Sequence, residues 1–293
     1  MDNVLVLIAS PHYRSLETAL ISKAHAVLQG AGNARNLSRH AVEIQFSGPP
    51  QDVEDLMRCA LEGAEVDFAV VPSRNRRKKL LIADMDSTMI GQECIDELGK
   101  RAGAGEKIIA ITERAMRGEL NFEGAVRERV GLMEGLPEIE IQAVIENDLT
   151  YTPGGRTLVQ TMRAHGAFTA LVSGGFTQFT NHVAEVCGFN ENRANALVIE
   201  DGVLTGMVRE PILGRDAKVQ AVNEYTAALG ISPDDVIAVG DGANDLGMLE
   251  LAGMGVALHA KPAVREAAGI RIDHSGLEAL LFLQGYSAPE FSD

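Results

Sequence analysis

The chain has 293 residues, enough for about two domains with a sizeable core, and its formal net charge of −15 argues against non-specific binding to nucleic acid. Three cysteines and seven histidines show no metal-like spacing, which argues against a zinc site and a disulfide framework. A signal-peptide pattern and a run of eighteen apolar residues are both lacking, so the sequence predicts a cytoplasmic protein with no membrane partner.

Residues 1–73 are predicted to be a small separate unit. Apolar runs at 4–9 and 66–71 and alternation at 42–46 predict three strands, with one helix between each pair. In topology alone, this order resembles a ligand-binding or dimerising regulatory domain of the ACT type. The resemblance implies a homodimer formed through this unit, and a packing domain without a ligand is the alternative.

The basic run at residues 74–79, Arg-Asn-Arg-Arg-Lys-Lys, follows. Such a run can bind nucleic acid or a localisation receptor. Because it lies between two folded units of an acidic protein, we expect a solvated linker instead.

A short apolar run at residues 80–83 predicts a buried parallel strand that ends in Asp84 and Asp86. Residues two apart on an extended chain point the same way, so both carboxylates should leave the strand end together. Open α/β sheets bind their ligands at this edge. The alternative is an ordinary strand end followed by a Ser/Thr helix cap.

Residues 91–150 contain no good strand and show helical stripes punctuated by glycine and proline. We therefore expect about four helices inserted between the first strand and the rest of the sheet.

From there to residue 286, strands and helices alternate, which predicts an α/β fold. The last few residues, 287–293, are expected to be a loose tail. Further strands are predicted at 168–172, 236–239 and 255–258, a hairpin at 196–204, helices at 158–164, 177–186, 214–229 and 246–252, and two short helices near the end.

Three predicted strands end in polar or glycine-rich sequence: Asp84 to Asp86, Ser173-Gly174, and Asp241 onwards. In a parallel sheet these ends converge on one edge. Clustered carboxylates offer hard oxygen ligands that suit Mg²⁺. A hydroxyl and a glycine N–H can bind phosphate oxygens, and Lys218 can add a positive charge, although most lysines only solvate a helix face.

The motifs Asp84-Met85-Asp86-Ser87-Thr88, Ser173-Gly174-Gly175-Phe176 and Gly240-Asp241-Gly242-Ala243-Asn244-Asp245 resemble those of the haloacid-dehalogenase superfamily, and are close to its phosphoserine phosphatase family. The resemblance covers residue 80 to about residue 283. It implies a doubly wound parallel sheet in which the helical insertion is a cap that closes over the site.

The resemblance also implies roles for the core residues. Asp84 would be the nucleophile, and Asp86 would protonate the leaving oxygen and then activate water. Mg²⁺ would be held by Asp84, the Asp86 carbonyl and Asp241. The substrate-binding residues of the core would be Ser173, Gly174, Lys218 and Asn244.

On the cap, Glu93 matches the family's ligand for the substrate ammonium and Arg129 its clamp for the carboxylate. Met116 and Phe122 would wall the cap side, or would simply be cap core. The implied reaction is hydrolysis of phosphoserine, a small molecule. Two alternatives stay open: transfer of the phosphoryl group to another alcohol, and a non-enzymatic amino-acid sensor.

Overall fold

The computed structural model describes residues 2–116 and 119–293, with only the backbone of Met116, and it contains three β-sheets. No helix in these ranges is long and apolar enough to cross a membrane. The strands are β1 Asn3–Ala9, β2 Ala34–Asn36, β3 Ala41–Phe46, β4 Val66–Pro72, β5 Leu80–Ala83, β6 Phe168–Phe176, β7 Glu191–Asn195, β8 Leu197–Glu200, β9 Val203–Val208, β10 Val236–Gly240, β11 Met254–Leu258 and β12 Ile270–Ile272. The α-helices are α1 Thr18–Val27, α2 Pro50–Ala60, α3 Cys94–Arg101, α4 Gly105–Met116, α5 Phe122–Gly131, α6 Ile139–Asn147, α7 Gly155–Ala164, α8 Thr177–Cys187, α9 Arg215–Leu229, α10 Leu246–Leu251, α11 Pro262–Ala267 and α12 Ala279–Leu283.

The N-terminal sheet is antiparallel, with strand order β2-β3-β1-β4. Its three predicted strands are confirmed. Strand β2 was not predicted, because its sequence, Ala-Arg-Asn, carries no apolar pattern; all three residues are exposed. The likeness to an ACT domain stays a prediction.

Both faces of this N-terminal sheet are buried, since β1 is apolar at successive positions. Leu5 and Leu7 belong to a cluster formed with α1 and α2. Val4 and Val6 belong to the main core, together with Leu280 of α12. The N-terminal unit therefore shares part of its core with the rest of the chain.

The central sheet is parallel, with strand order β12-β11-β10-β5-β6-β7. Alternate residues of β5 face opposite sides: Leu80 and Ile82 pack in a cluster with α9 and α10, whereas Leu81 and Ala83 pack in a cluster with α7, α8 and α12. Helices on both faces confirm the predicted doubly wound α/β fold.

The four helices predicted between residues 91 and 150 are present as α3 to α6. Strands β8 and β9 form the predicted hairpin as a separate two-stranded sheet. This hairpin lies against α5, and Val203 forms a bridge with Pro137. The inserted segment is therefore helical and is buttressed by the hairpin.

The expectation of a solvated linker at 74–79 is wrong for two residues. The Arg76 side chain is 10% exposed and donates to the Glu43 carboxylate of β3 at 2.7 Å. Lys78 is buried, and its Nζ donates to the Asp234 carbonyl at 2.7 Å. These contacts tie the segment to β3 and to the 3-10 turn that precedes β10, and they give each buried charge a polar partner.

The expectation of a loose tail is also wrong. Ser287 caps a short 3-10 helix through Glu290. The Phe291 ring lies 5.3 Å from that of Phe282, and the Ser292 N–H donates to Thr161 Oγ1 at 2.8 Å. We still propose residues 1–73, the connection 74–79, the unit 80–286 and the terminal 287–293 as the divisions of the chain, with the first and third sharing a core.

Candidate active site

The sheet topology brings the three predicted strand ends together. Strands β6, β5 and β10 are adjacent and parallel, so their carboxyl ends lie at one edge. Asp84 extends β5, and its N–H donates to the Val239 carbonyl at 3.0 Å. The chain then turns through Ser87, whose φ of 55° lies in the left-handed region that non-glycine residues rarely adopt. This strained turn leads the chain from β5 into the cap.

A buried charge cluster lies at the centre of the site. Lys218 Nζ is 2.7 Å from Asp84 Oδ1 and 2.5 Å from Asp245 Oδ1, and all three side chains are at most 7% exposed. Burial by itself lowers the pKa of Lys218, but Asp84 and Asp245 outweigh it and raise the pKa above its ordinary value. Lys218 is therefore a fixed cation. Burial and the Asp245 charge raise the pKa of Asp84, against the opposing effect of Lys218.

Oxygen atoms of Asp84, Asp241 and Asp245 lie within 4.8 Å of one another, an arrangement that could hold a metal ion. Burial raises the pKa of Asp241. Thr88 Oγ1 donates to Asp241 Oδ1 at 3.1 Å. A cluster of hard oxygen donors fits a divalent ion such as Mg²⁺ better than a soft one.

The Asp86 side chain lies at the N-terminal end of α3. Its Oδ1 accepts a hydrogen bond from the Cys94 N–H at 3.1 Å, where the helix dipole favours a negative charge. Loss of surrounding water and then the charge of Glu93 nevertheless raise the pKa of Asp86 to about 7, despite the Cys94 contact. A carboxyl with this pKa can both give and take a proton near neutral pH.

The carboxyl end of β6 is packed too tightly for side chains. A Cβ atom on Gly175 would lie 2.7 Å from Asp86 Oδ2, and one on Gly174 would lie 3.1 Å from Cζ of Phe122. The buried Ser173 hydroxyl accepts the Gly175 N–H at 2.9 Å, which leaves its own proton free to donate. Glycine is needed here because the Asp86 carboxylate and the cap both approach the backbone.

Glu93 and Arg129 are the two charged cap residues that were predicted to bind the substrate. Glu93 Oε1 accepts the Ser87 hydroxyl at 2.9 Å. Arg129 is half-buried, its Nε donates to the Ala125 carbonyl at 3.2 Å, and its Nη2 makes no hydrogen bond within the described part of the chain. Burial lowers the pKa of Arg129. The Phe122 ring covers Gly174, as expected for a wall of the site, whereas the side chain of Met116 lies outside the described residues.

Three residues of this site had no predicted role: Asp245, Thr88 and Lys261. Asp245 is fully buried and accepts N–H groups of Asp241 and Gly242 as well as Lys218 Nζ. Its place at the end of the glycine-rich motif was the available signal. Thr88 ends the first motif, and Lys261 follows a strand at the same sheet edge. Asn244, which was predicted, is half-buried in the loop between Asp241 and Asp245.

Comparisons with known proteins identify the family of the chain. The family model of haloacid dehalogenase-like hydrolases matches residues 81–250. A phosphoserine phosphatase from Albidiferax ferrireducens is 45% identical over 217 residues, which cover 72% of this chain and 92% of that protein. The chain belongs to the phosphoserine phosphatase family of haloacid dehalogenase-like hydrolases.

Two solved structures extend the family likeness over nearly the whole chain. A HAD family hydrolase from Salmonella enterica serovar Typhi has a TM-score of 0.85 at 32% identity, covering 96% of this chain and 98% of its own. A probable phosphoserine phosphatase from Vibrio cholerae has a TM-score of 0.80 at 30% identity, covering 99% of this chain and 88% of its own. These coverages include the N-terminal sheet, so that sheet also occurs in other members of the family.

Proposed function

We propose that the chain hydrolyses O-phospho-L-serine to L-serine and phosphate, the last step of L-serine biosynthesis. The observation that carries the proposal is the buried Asp84–Lys218–Asp245 cluster beside Asp86, in a chain 45% identical to a phosphoserine phosphatase. Transfer to another alcohol and a non-enzymatic sensor, the two alternatives left open by the sequence, find no support among these relatives.

Asp84 is the proposed nucleophile. Its Oδ1 accepts both Lys218 Nζ and the Met85 N–H, at 2.7 and 2.8 Å, which fixes the orientation of the carboxylate. A new bond forms between an Asp84 carboxylate oxygen and phosphorus as the bond between phosphorus and the serine oxygen breaks. The product of this step is an aspartyl-phosphate on Asp84.

Asp86 is the proposed acid and base. It gives its proton to the serine oxygen as that oxygen leaves, and then takes a proton from the water that attacks the aspartyl-phosphate. This second step releases phosphate and restores the Asp84 carboxylate. A pKa raised to about 7 supports both roles, because each needs a protonation state that is accessible near neutral pH.

Mg²⁺ is the proposed cofactor, held by Asp84, the Asp86 carbonyl and Asp241. When bound, it supplies positive charge that offsets the clustered carboxylates and the phosphoryl oxygens. Asp245 is not assigned as a ligand, since both its oxygens accept hydrogen bonds from Lys218 and the backbone. It positions Lys218 instead.

The proposed phosphoryl-binding groups surround Asp84. The Ser173 hydroxyl, the Gly174 N–H and the Asn244 amide can donate to phosphoryl oxygens, and Lys218 stabilises the charge that develops there. On the cap, Glu93 pairs with the substrate ammonium and the Arg129 guanidinium donates to its carboxylate.

The three cysteines are unpaired, which fits a reducing compartment, so we place the proposed activity in the cytoplasm. A homodimer through residues 1–73 is proposed on the same topological ground as before. Neither statement affects the chemistry of the site.

A panel of phosphomonoesters tests the proposed substrate. The expected order of kcat/KM places phosphoserine well above phosphoethanolamine, which lacks the carboxylate, and 3-phosphoglycerate, which lacks the ammonium. A missing carboxylate leaves Arg129 unpaired, which costs about 1.5–3 kcal/mol, or roughly ten- to a hundredfold, and a missing ammonium removes the pair between the substrate and Glu93. Product analysis with added homoserine separates hydrolysis from transfer. Equal rates across the panel would retire phosphoserine as the specific substrate.

A further inference from the structure

Lys261 is a charged residue of the site that the proposed mechanism does not use. It lies three residues beyond β11, and its N–H donates to the Asp241 carbonyl at 3.1 Å, which fixes it beside the site. Its Nζ lies 3.4 Å from Asp241 Oδ2 and 3.4 Å from Glu93 Oε1. Glu93 precedes α3, so the Lys261 side chain reaches from the core sheet to the cap.

Two cations can pair with Glu93: Lys261 and the ammonium of a bound substrate. In the free protein its carboxylate pairs with Lys261 Nζ, and under the proposed function it pairs with the ammonium of phosphoserine. The Lys261 side chain is 60% exposed and can swing into solvent when displaced. We infer that Lys261 competes with the substrate ammonium for Glu93 and thereby sets how strongly the enzyme prefers ammonium-bearing phosphomonoesters. This inference rests on the proposed function.

The competition predicts the direction of a change in specificity. When phosphoserine binds, the Glu93–Lys261 pair is lost and a Glu93–ammonium pair replaces it. When 3-phosphoglycerate binds, Glu93 keeps Lys261 as its partner. Lys261 therefore reduces the preference for phosphoserine over 3-phosphoglycerate, measured as the ratio of their kcat/KM values. Its removal should increase that preference.

The test is the ratio of kcat/KM for phosphoserine to kcat/KM for 3-phosphoglycerate in Lys261→Met. We expect this ratio to rise about two- to fivefold, or about 0.4–1 kcal/mol, which is the range for an exposed ion pair. The rise should come from a lower KM for phosphoserine. Any effect of Lys261 through Asp241 is common to both substrates and cancels in the ratio.

Three control variants isolate the Glu93 contact. Lys261→Arg keeps the charge and should keep the wild-type ratio. Lys100→Met removes a cap lysine that pairs with Glu97 and lies on the surface, so it should change nothing. In a Glu93→Gln background, Lys261→Met should no longer raise the ratio, whereas a general loss of positive charge would raise it equally in both backgrounds.

An unchanged or lower ratio in Lys261→Met, or an equal rise with and without Glu93, would overturn the inference. Failure of the proposed function is separate from this result, because it would appear as little or no phosphoserine hydrolysis by the wild-type enzyme itself.

Discussion

Replacement of Asp245 by asparagine is expected to destabilise the protein and to slow catalysis. The two carboxylate oxygens of Asp245 accept from different donors: Oδ1 from Lys218 Nζ at 2.5 Å, and Oδ2 from the N–H groups of Asp241 and Gly242 at 3.2 and 2.9 Å. An asparagine has only one acceptor oxygen. In either orientation of its amide, an NH₂ group would face at least one of these donors.

The magnitude follows from burial. Asp245 is 0% exposed and Lys218 is 2% exposed, so the variant leaves a buried lysine with Asp84 as its one remaining carboxylate partner. Because Asp84 still pairs with Lys218, the expected cost is that of leaving a buried donor without its acceptor, about 1–3 kcal/mol. A less firmly held Lys218 should also lower kcat by at least tenfold. This decrease should be smaller than the roughly 10²–10³-fold decrease expected when a donor is removed outright.

Urea unfolding and phosphate release by the same preparations check both effects. Asp216→Asn is the matched control, because Asp216 is exposed in the first turn of the helix that carries Lys218 and should matter by less than about 1 kcal/mol. A free energy of unfolding for Asp245→Asn within 1 kcal/mol of wild type, together with normal kcat, would refute the buried-cluster reasoning.

Three further predictions concern the metal, the cap and the N-terminal unit. Activity should vanish with a chelator and return with Mg²⁺, because the site offers hard oxygen donors; full turnover in metal-free buffer would remove the metal from the account. Arg129→Ala should reduce the preference for phosphoserine over phosphoethanolamine by roughly ten- to a hundredfold, since the variant no longer pairs with the carboxylate; an unchanged preference would exclude Arg129 as the clamp. Deletion of residues 1–73 should yield insoluble or unstable protein, because it uncovers the α12 face that packs with Val4 and Val6. The expected loss is about 1.5–3 kcal/mol for each buried side chain removed. A soluble, active fragment on size-exclusion chromatography would contradict the shared core.

The central sheet could be predicted because its strands are local signals. Each strand that bears site residues, such as β5 and β10, is a short apolar run ending in polar sequence, and parallel pairing places all such ends at one edge of the sheet. Asp84, Ser173 and Asp241 were found in this way. They were predicted from their residue types and their positions at strand ends, without knowledge of their contacts.

Other features could not be predicted, because they depend on contacts between distant parts of the chain. The buried state of Arg76 follows from Glu43, which sequence alternation alone cannot pair with it. Strands β2, β7 and β12 are short or polar and lack a strong periodic pattern. Lys261 carries no motif, and its approach to Glu93 spans 168 residues.

The central claim is that Asp84 carries the phosphoryl group during turnover, and trapping that group tests it most directly. Enzyme is mixed with phosphoserine that is radiolabelled in its phosphoryl group and is quenched in acid within one turnover. The peptide that contains Asp84 should then carry the label. Folded Asp84→Asn protein should carry none and should release no phosphate. A wild-type enzyme that turns over without becoming labelled, or that is labelled at another residue, would contradict the account.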